Sequence, residues 1–166
     1  MSAESDSSKY VLRAADIAAM AGLKKTHFLN SDAQRVNKSL GDVTGLTGFG
    51  FHIITVEPGQ LTTEHHVHHH EDECIYILEG TALARIGDEE YSVGPGDFIG
   101  YRKGGLPHSL LNNGTDVLRC VVVGERLPHD VCDYPVQGKR MFRNAGLAWG
   151  IVDMTAIESP TAGAKS

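Results

Sequence analysis

Between about residue 48 and residue 124 short apolar stretches recur every eight to twelve residues, separated by Gly, Pro and Asn. They read "GFGFHIITV", "CIYILEG", "TALARI", "EEYSV", "DFIGY", "HSLL" and "DVLRCVVVGE". This rhythm predicts antiparallel strands of a sandwich or barrel, an all-β class, because a half-buried strand repeats every two residues and turn formers must interrupt it. "GD" at 87–88 predicts a tight hairpin. "VGPGD" at 93–97 predicts a second turn, with Pro95 holding φ and the flanking glycines free to take φ > 0. Ahead of the strands, "AADIAAMAG" (14–22) predicts a short helix closed by Gly22. Both ends are small and polar and are expected to fray. The expected division is a disordered N-terminus (1–9), an N-terminal helical or extended segment packed on a barrel (10–47), the barrel itself (48–125), a C-terminal segment packed on it (126–155) and a flexible tail (156–166). No internal repeat or interior linker interrupts this order.

The chain has 166 residues, a length that suits one domain burying roughly two-thirds of its unfolded surface. Its net charge is −6, and no run of lysine and arginine exceeds two residues. The electrostatic footprint of a nucleic-acid binder is therefore missing, and small molecules or a second copy of the chain are the expected partners. Cys74, Cys120 and Cys132 are odd in number and form no CxxC pair, which suits reduced thiols in a cytoplasm. The start carries no apolar signal region, and no stretch approaches the length of a membrane span. These features predict a soluble cytoplasmic protein without a membrane partner.

The histidines change the picture. "HHVHHH" at 65–70 holds five of the nine in the chain. On a strand, side chains alternate faces, so His66, His68 and His70 share one face, while His65 and His69 flank Val67 on the other. At about 3.3 Å per residue, His66 and His70 lie about 13 Å apart, whereas a metal sits about 2 Å from each imidazole nitrogen. One HxH pair is the most that this strand can offer an ion, either His66/His68 or His68/His70. The odd register fails because Val67 has no lone pair. Among the acidic residues that follow, Glu73 is best placed, since it begins the alternation Glu73, Ile75, Ile77. His108, at a loop-to-strand junction in "GGLPHSLLN", is the candidate third nitrogen. Three imidazoles and a carboxylate suit Fe, Mn, Ni, Zn or Cu, so the donor set predicts a divalent transition metal without choosing one. His65, His69 and His70 read as exposed bystanders, and His27, His52 and His129 as ordinary strand or loop residues unless the parity of the strand carrying His52 is reversed.

The stretch "HVHHHEDECIYILEG" resembles the first motif of the cupins, G(x)5HxH(x)3-4E(x)6G. In that likeness His66, His68, Glu73 and Gly80 take the motif positions, whereas His68/His70 leave too few residues before Glu73. The second motif, G(x)5PxG(x)2H(x)3N, is matched less cleanly by "GDFIGYRKGGLPHSLLN": Arg102 stands where proline is usual, and one residue too many separates Gly104 from His108, ahead of Asn112. Gly59 is likewise one residue further from His66 than the motif asks. The flanking stretches "NKSLGDVTGLTGFGFHIITVEPG" and "VVVGERLPHDVCDYP" extend the resemblance, over roughly residues 30–155, to small single-domain bacterial cupins, some described as sugar-phosphate-isomerase-like.

The resemblance implies a double-stranded β-helix, the jelly-roll barrel, with His66, His68, Glu73 and His108 as metal ligands. One such fold hosts isomerases, dioxygenases, lyases and non-catalytic ligand binders, so fold alone does not choose. The first expectation is a sugar-phosphate-like isomerase using Lewis-acid and enediolate chemistry. The alternatives are an Fe-dependent dioxygenase or lyase, or a cupin that binds without turnover. Glu64, Tyr101 and His52 are candidate bases. Tyr101, Arg102 and Lys103 form a candidate substrate-binding loop at the barrel mouth, able to hold a phosphate or carboxylate. Small cupins commonly pair, so a homodimer is expected.

Overall fold

The computed structural model describes residues 10–160 and 162–163. After a short helix, α1 (Ala14–Ala19), come β1 (Leu23–His27), β2 (Asn30–Ser39), the one-turn α2 (Leu40–Thr44) and β3 (Phe49–Val56). Then follow β4 (Val67–His68), β5 (Glu73–Glu79), β6 (Ala82–Ile86), β7 (Glu89–Val93), β8 (Phe98–Tyr101), β9 (His108–Leu111) and β10 (Leu118–Glu125). The chain closes with β11 (His129–Tyr134), β12 (Lys139–Asn144) and β13 (Gly150–Asp153). The seven apolar stretches of the repeating pattern thus form β3 and β5 to β10. α1 ends at Ala19 with an extended Met20 after it, so Gly22 (φ +74°) turns the chain into β1 and does not cap the helix.

Three antiparallel sheets build a jelly roll. One has six strands in the order β1-β2-β3-β10-β5-β8, a second has four (β13-β12-β11-β4) and a third has three (β7-β6-β9). Outside the span 48–125, β1 and β2 extend the large sheet and β11 to β13 form a sheet with β4. The hairpin β1–β2 escapes sequence pattern because its strands are mostly polar, β1 exposed and β2 largely half-buried. The disorder expected of residues 1–9 lies outside the described residues, as do residues 161 and 164–166 of the expected tail.

The core lies between the large sheet and the three-stranded one. Ile54, Val56, Ile75, Ile77, Leu110 and Leu118 are almost fully buried there, and each such side chain contributes about 1.5–3 kcal/mol through apolar burial. In β5 the alternation holds, with Ile75 and Ile77 buried and Tyr76 exposed. Two turns rest on glycine. Gly87 (φ +60°) makes the two-residue link between the paired Ile86 and Glu89. Gly80 (φ +80°) lets β5 pass into β6 under β10, where a Cβ would stand 2.7 Å from the Val117 carbonyl oxygen and 2.9 Å from Leu118 Cα. Gly80→Ala is therefore expected to cost about 1–3 kcal/mol from left-handed strain, with the backbone clash adding to it. Urea denaturation checks this, and a wild-type midpoint would contradict it.

Candidate metal centre

The geometry of the histidines begins with a backbone pairing. His66 and His108 face each other across an antiparallel bridge, His66 N–H donating to the His108 carbonyl at 3.0 Å and His108 N–H returning the bond at 2.8 Å. Directly opposite residues project to the same face, so both rings enter the barrel with centroids 4.6 Å apart. His68 stands two residues further on that face, 4.9 Å from the His66 ring. Cys132 of β11 pairs with His68 and brings a buried thiol alongside. Glu73 opens β5 on the opposing sheet, where its strand partners are Tyr101 and Gly124. The donor atoms of His66, Glu73 and His108 lie within 4.8 Å of one another, and so do those of His66, His68 and Cys132. Two donor triads thus share His66, one completed by Glu73 and His108 and the other by His68 and Cys132.

Each ring is oriented by an acceptor on its far nitrogen. His66 Nδ1 lies 2.8 Å from the Glu64 carbonyl oxygen, His68 Nδ1 2.6 Å from Asp130 Oδ2, and His108 Nδ1 3.3 Å from the Leu106 carbonyl oxygen. None of these partners can donate, so in the neutral ring Nδ1 carries the hydrogen and Nε2 presents its lone pair. Tyr101 holds the His108 ring by stacking at 3.6 Å and 4°. His108 Nε2 is buried with no hydrogen-bond partner among the described residues. A buried nitrogen so oriented and unpartnered fits a metal ligand.

Electrostatics separates the three histidines. Burial, aided by the neighbouring His108 and His68, drives His66 well below the ordinary value. Burial takes His108 down to about 4. Both are neutral at pH 7. Burial also acts to lower His68, but the Asp130 hydrogen bond and the charge of Glu73 outweigh it and leave His68 raised. Burial raises Glu73 against the opposing influence of His68 and Arg35. A carboxylate enclosed in this way is stabilised by a cation.

The remaining candidates fall elsewhere. Contrary to the expectation of exposure, His65 is buried, because its face of the strand packs on β9, where its Nδ1 meets Ser109 Oγ at 3.1 Å. His69 Nε2 is paired with Asp133 at 2.9 Å, and His70 is exposed. His27 and His52 both line the main cavity, so the parity of β3 is the reverse of the simpler assumption. Arg102 and Lys103 are exposed and do not line it. Lys103 instead faces Asp72 (3.8 Å) and Glu125 (3.9 Å), and its N–H donates to Asp72 Oδ1 at 2.8 Å. The extra residue of this loop is taken up by Gly104 (φ +63°), whose N–H donates to the His68 carbonyl at 2.8 Å. The bases that do line the cavity, Lys25, Arg35, Arg126 and Arg143, come from outside both motifs. Asp130 was also illegible in sequence, since 62 residues separate it from His68.

The cavity has a volume of about 410 Å³ and is lined by His66, His68 and Glu73. Residues 52–124 match the Cupin domain family. Over 95% of its length and 100% of the other chain, the protein is similar to the crystal structure of a proposed sugar phosphate isomerase from Acidithiobacillus ferrooxidans, with 46% identity and a TM-score of 0.91. The chain belongs to the cupin superfamily. The cupin fold is shared with a sugar phosphate isomerase of the same superfamily from Silicibacter pomeroyi, at 23% identity and a TM-score of 0.73, over 85% of this chain and 90% of that one. No curated protein matches this cupin.

His66→Ala and His108→Ala remove stoichiometric metal in elemental analysis, Asp130→Asn weakens metal affinity about 10–100-fold, and His70→Ala leaves it intact. Loss in His70→Ala with retention in His66→Ala would contradict the assignment. As pH falls, His68, held above its ordinary value, protonates first. Metal affinity then drops about tenfold per pH unit for one displaced proton, and more steeply as His108 approaches its value of about 4. Titration of the protein with metal at several pH values checks the sign, and an affinity that rises on acidification would contradict it.

Proposed function

We propose that this cupin is a metal-dependent isomerase of a small sugar-phosphate-like metabolite. The observation that carries this reading is a pair of donor triads sharing His66, one with Glu73 and His108 and one with His68 and Cys132, their imidazoles each oriented by an acceptor on Nδ1, beside a ligand-sized cavity. The likeness to the Acidithiobacillus ferrooxidans structure, at 46% identity, supports the reaction class. His66, His68, Glu73 and His108 would hold a divalent ion, with Cys132 adjacent. Such an ion supplies Lewis-acid polarisation of a carbonyl or hydroxyl oxygen.

The proton must be moved by a side chain that reaches the cavity. His52 does so. Burial, followed by the Arg126 charge, lowers it, so it is a neutral imidazole at pH 7 able to accept a proton from carbon. Asn37 Nδ2, 3.2 Å from His52 Nδ1, holds the ring. Tyr101 is less suited, because burial raises its phenol and its ring is committed to His108. Glu64 is engaged by Asn30 Nδ2 at 2.6 Å and by the His65 N–H at 3.0 Å.

The test is incubation of the metal-loaded protein with a panel of aldose and ketose phosphates in deuterated water. Deuterium enters the carbon beside the carbonyl without uptake of oxygen, and His52→Gln slows this about 10²–10⁴-fold while metal content stays the same. Oxygen consumption in step with substrate loss would favour a dioxygenase, and a metal-loaded protein that turns over nothing would favour a binding cupin. Pairing of two copies belongs to the same reading, and a sedimenting species of 17.9 kDa alone would refute it.

A further inference from the structure

The large sheet carries a charge arrangement that the metal centre does not use. Lys25 on β1 and Arg35 on β2 are direct cross-strand partners, and both side chains line the cavity. Like charges set opposite each other in an antiparallel pair destabilise the sheet. A carboxylate commonly relieves such a pair, yet among the described residues neither Lys25 nor Arg35 forms a salt bridge. Arg35 is largely enclosed. One guanidinium nitrogen donates to the Thr62 carbonyl, and Nε is buried with no partner.

Charges of both signs line the cavity, but among the described residues none pairs with these two. Arg126 lines the same wall and is itself paired with Asp42 outside it. Burial lowers Lys25, and the next largest influence in the same direction is Arg35 itself. The one carboxylate that acts appreciably on Arg35 is Glu73, already part of the metal ligand set. Asn37, buried on β2 two residues beyond Arg35, adds an uncharged amide to this wall. What is missing is an acceptor with about two negative charges and several oxygens, placed between a guanidinium fork and an ammonium.

We propose that Lys25 and Arg35 form an oxyanion subsite that takes the phosphate group of the substrate, with the substrate's oxygenated end directed to the histidines and Glu73. Placing that end at the metal centre rests on the function proposed above, whereas the subsite itself rests on the cation pair. A phosphate dianion matches both charges. A carboxylate leaves one unmet. The subsite also replaces the Arg102–Lys103 loop as the recognition element, since that loop does not reach the cavity.

Calorimetric titration of the protein as purified with inorganic phosphate, at fixed ionic strength in chloride, tests the proposal. The wild type is expected to bind one phosphate per chain, and acetate at least tenfold more weakly. Lys25→Gln and Arg35→Gln each weaken phosphate at least tenfold, while Arg102→Gln and Lys103→Gln bind as the wild type does. Lys25 is exposed on an edge strand, so its variant keeps the experiment decisive should Arg35→Gln fail to fold. Metal content is measured in the same samples. Loss of phosphate binding in Lys25→Gln with full metal separates the subsite from direct capture of phosphate by the ion. A wild type that lacks metal but binds phosphate through Lys25 and Arg35 supports the subsite and overturns the metal reading alone. Absence of phosphate binding in the wild type, undiminished binding in Lys25→Gln, or acetate as effective as phosphate would each overturn the subsite.

Discussion

Two backbone hydrogen bonds between His66 and His108 are the constraint on which the site depends. They bridge the four-stranded and three-stranded sheets and place two imidazoles side by side on the inner face. His68 inherits its direction from strand parity, and Cys132 inherits its place from pairing with His68. A slip of one residue would turn Val67 inward in place of the donors and expose the histidines to the other face. The donor set is therefore a product of main-chain register, and the side chains contribute only their last two or three bonds.

What the backbone leaves free, local acceptors settle. Two of the three Nδ1 partners are carbonyl groups two residues away in sequence, so the HxH loop and the loop before β9 orient their own rings. The third, Asp130, crosses from β11 and has the opposite electrostatic effect, holding His68 toward the charged form while burial holds His66 and His108 neutral. Glu73 is half-buried, with His68 and Arg35 the cations that act on it. Such a cluster costs stability when empty of counter-charge. The same physics holds along β1 and β2, where two cations share one face. A cavity carrying an uncompensated carboxylate beside uncompensated cations is suited to a polar, anionic ligand and poorly suited to an apolar one.

The departures from the cupin motif acquire a physical meaning in this frame. The residue added before His108 lies in a glycine turn that hydrogen-bonds the His68 carbonyl, so the insertion braces the HxH loop, and Arg102 and Lys103 do not line the cavity. The cations Lys25 and Arg35 that line the cavity come from a hairpin outside both motifs. β1 and β2 complete the large sheet and supply its polar wall.

Alternation, turn residues and ligand spacing are local properties of a chain, so the all-β class, most strand positions and the candidate set His66, His68, Glu73 and His108 were legible before any fold was known. Asp130 behind His68, Cys132 beside it, Tyr101 stacked on His108, the burial of His65 and the meeting of Lys25 with Arg35 were decided only by tertiary structure. Each depends on which strands become neighbours and in what register. β1 and β2 illustrate the difference: their mostly polar residues follow no apolar alternation, yet pairing with β3 turns Arg35 and Asn37 inward. A face that is polar because it lines a cavity cannot be told, by pattern alone, from one that is polar because it meets water.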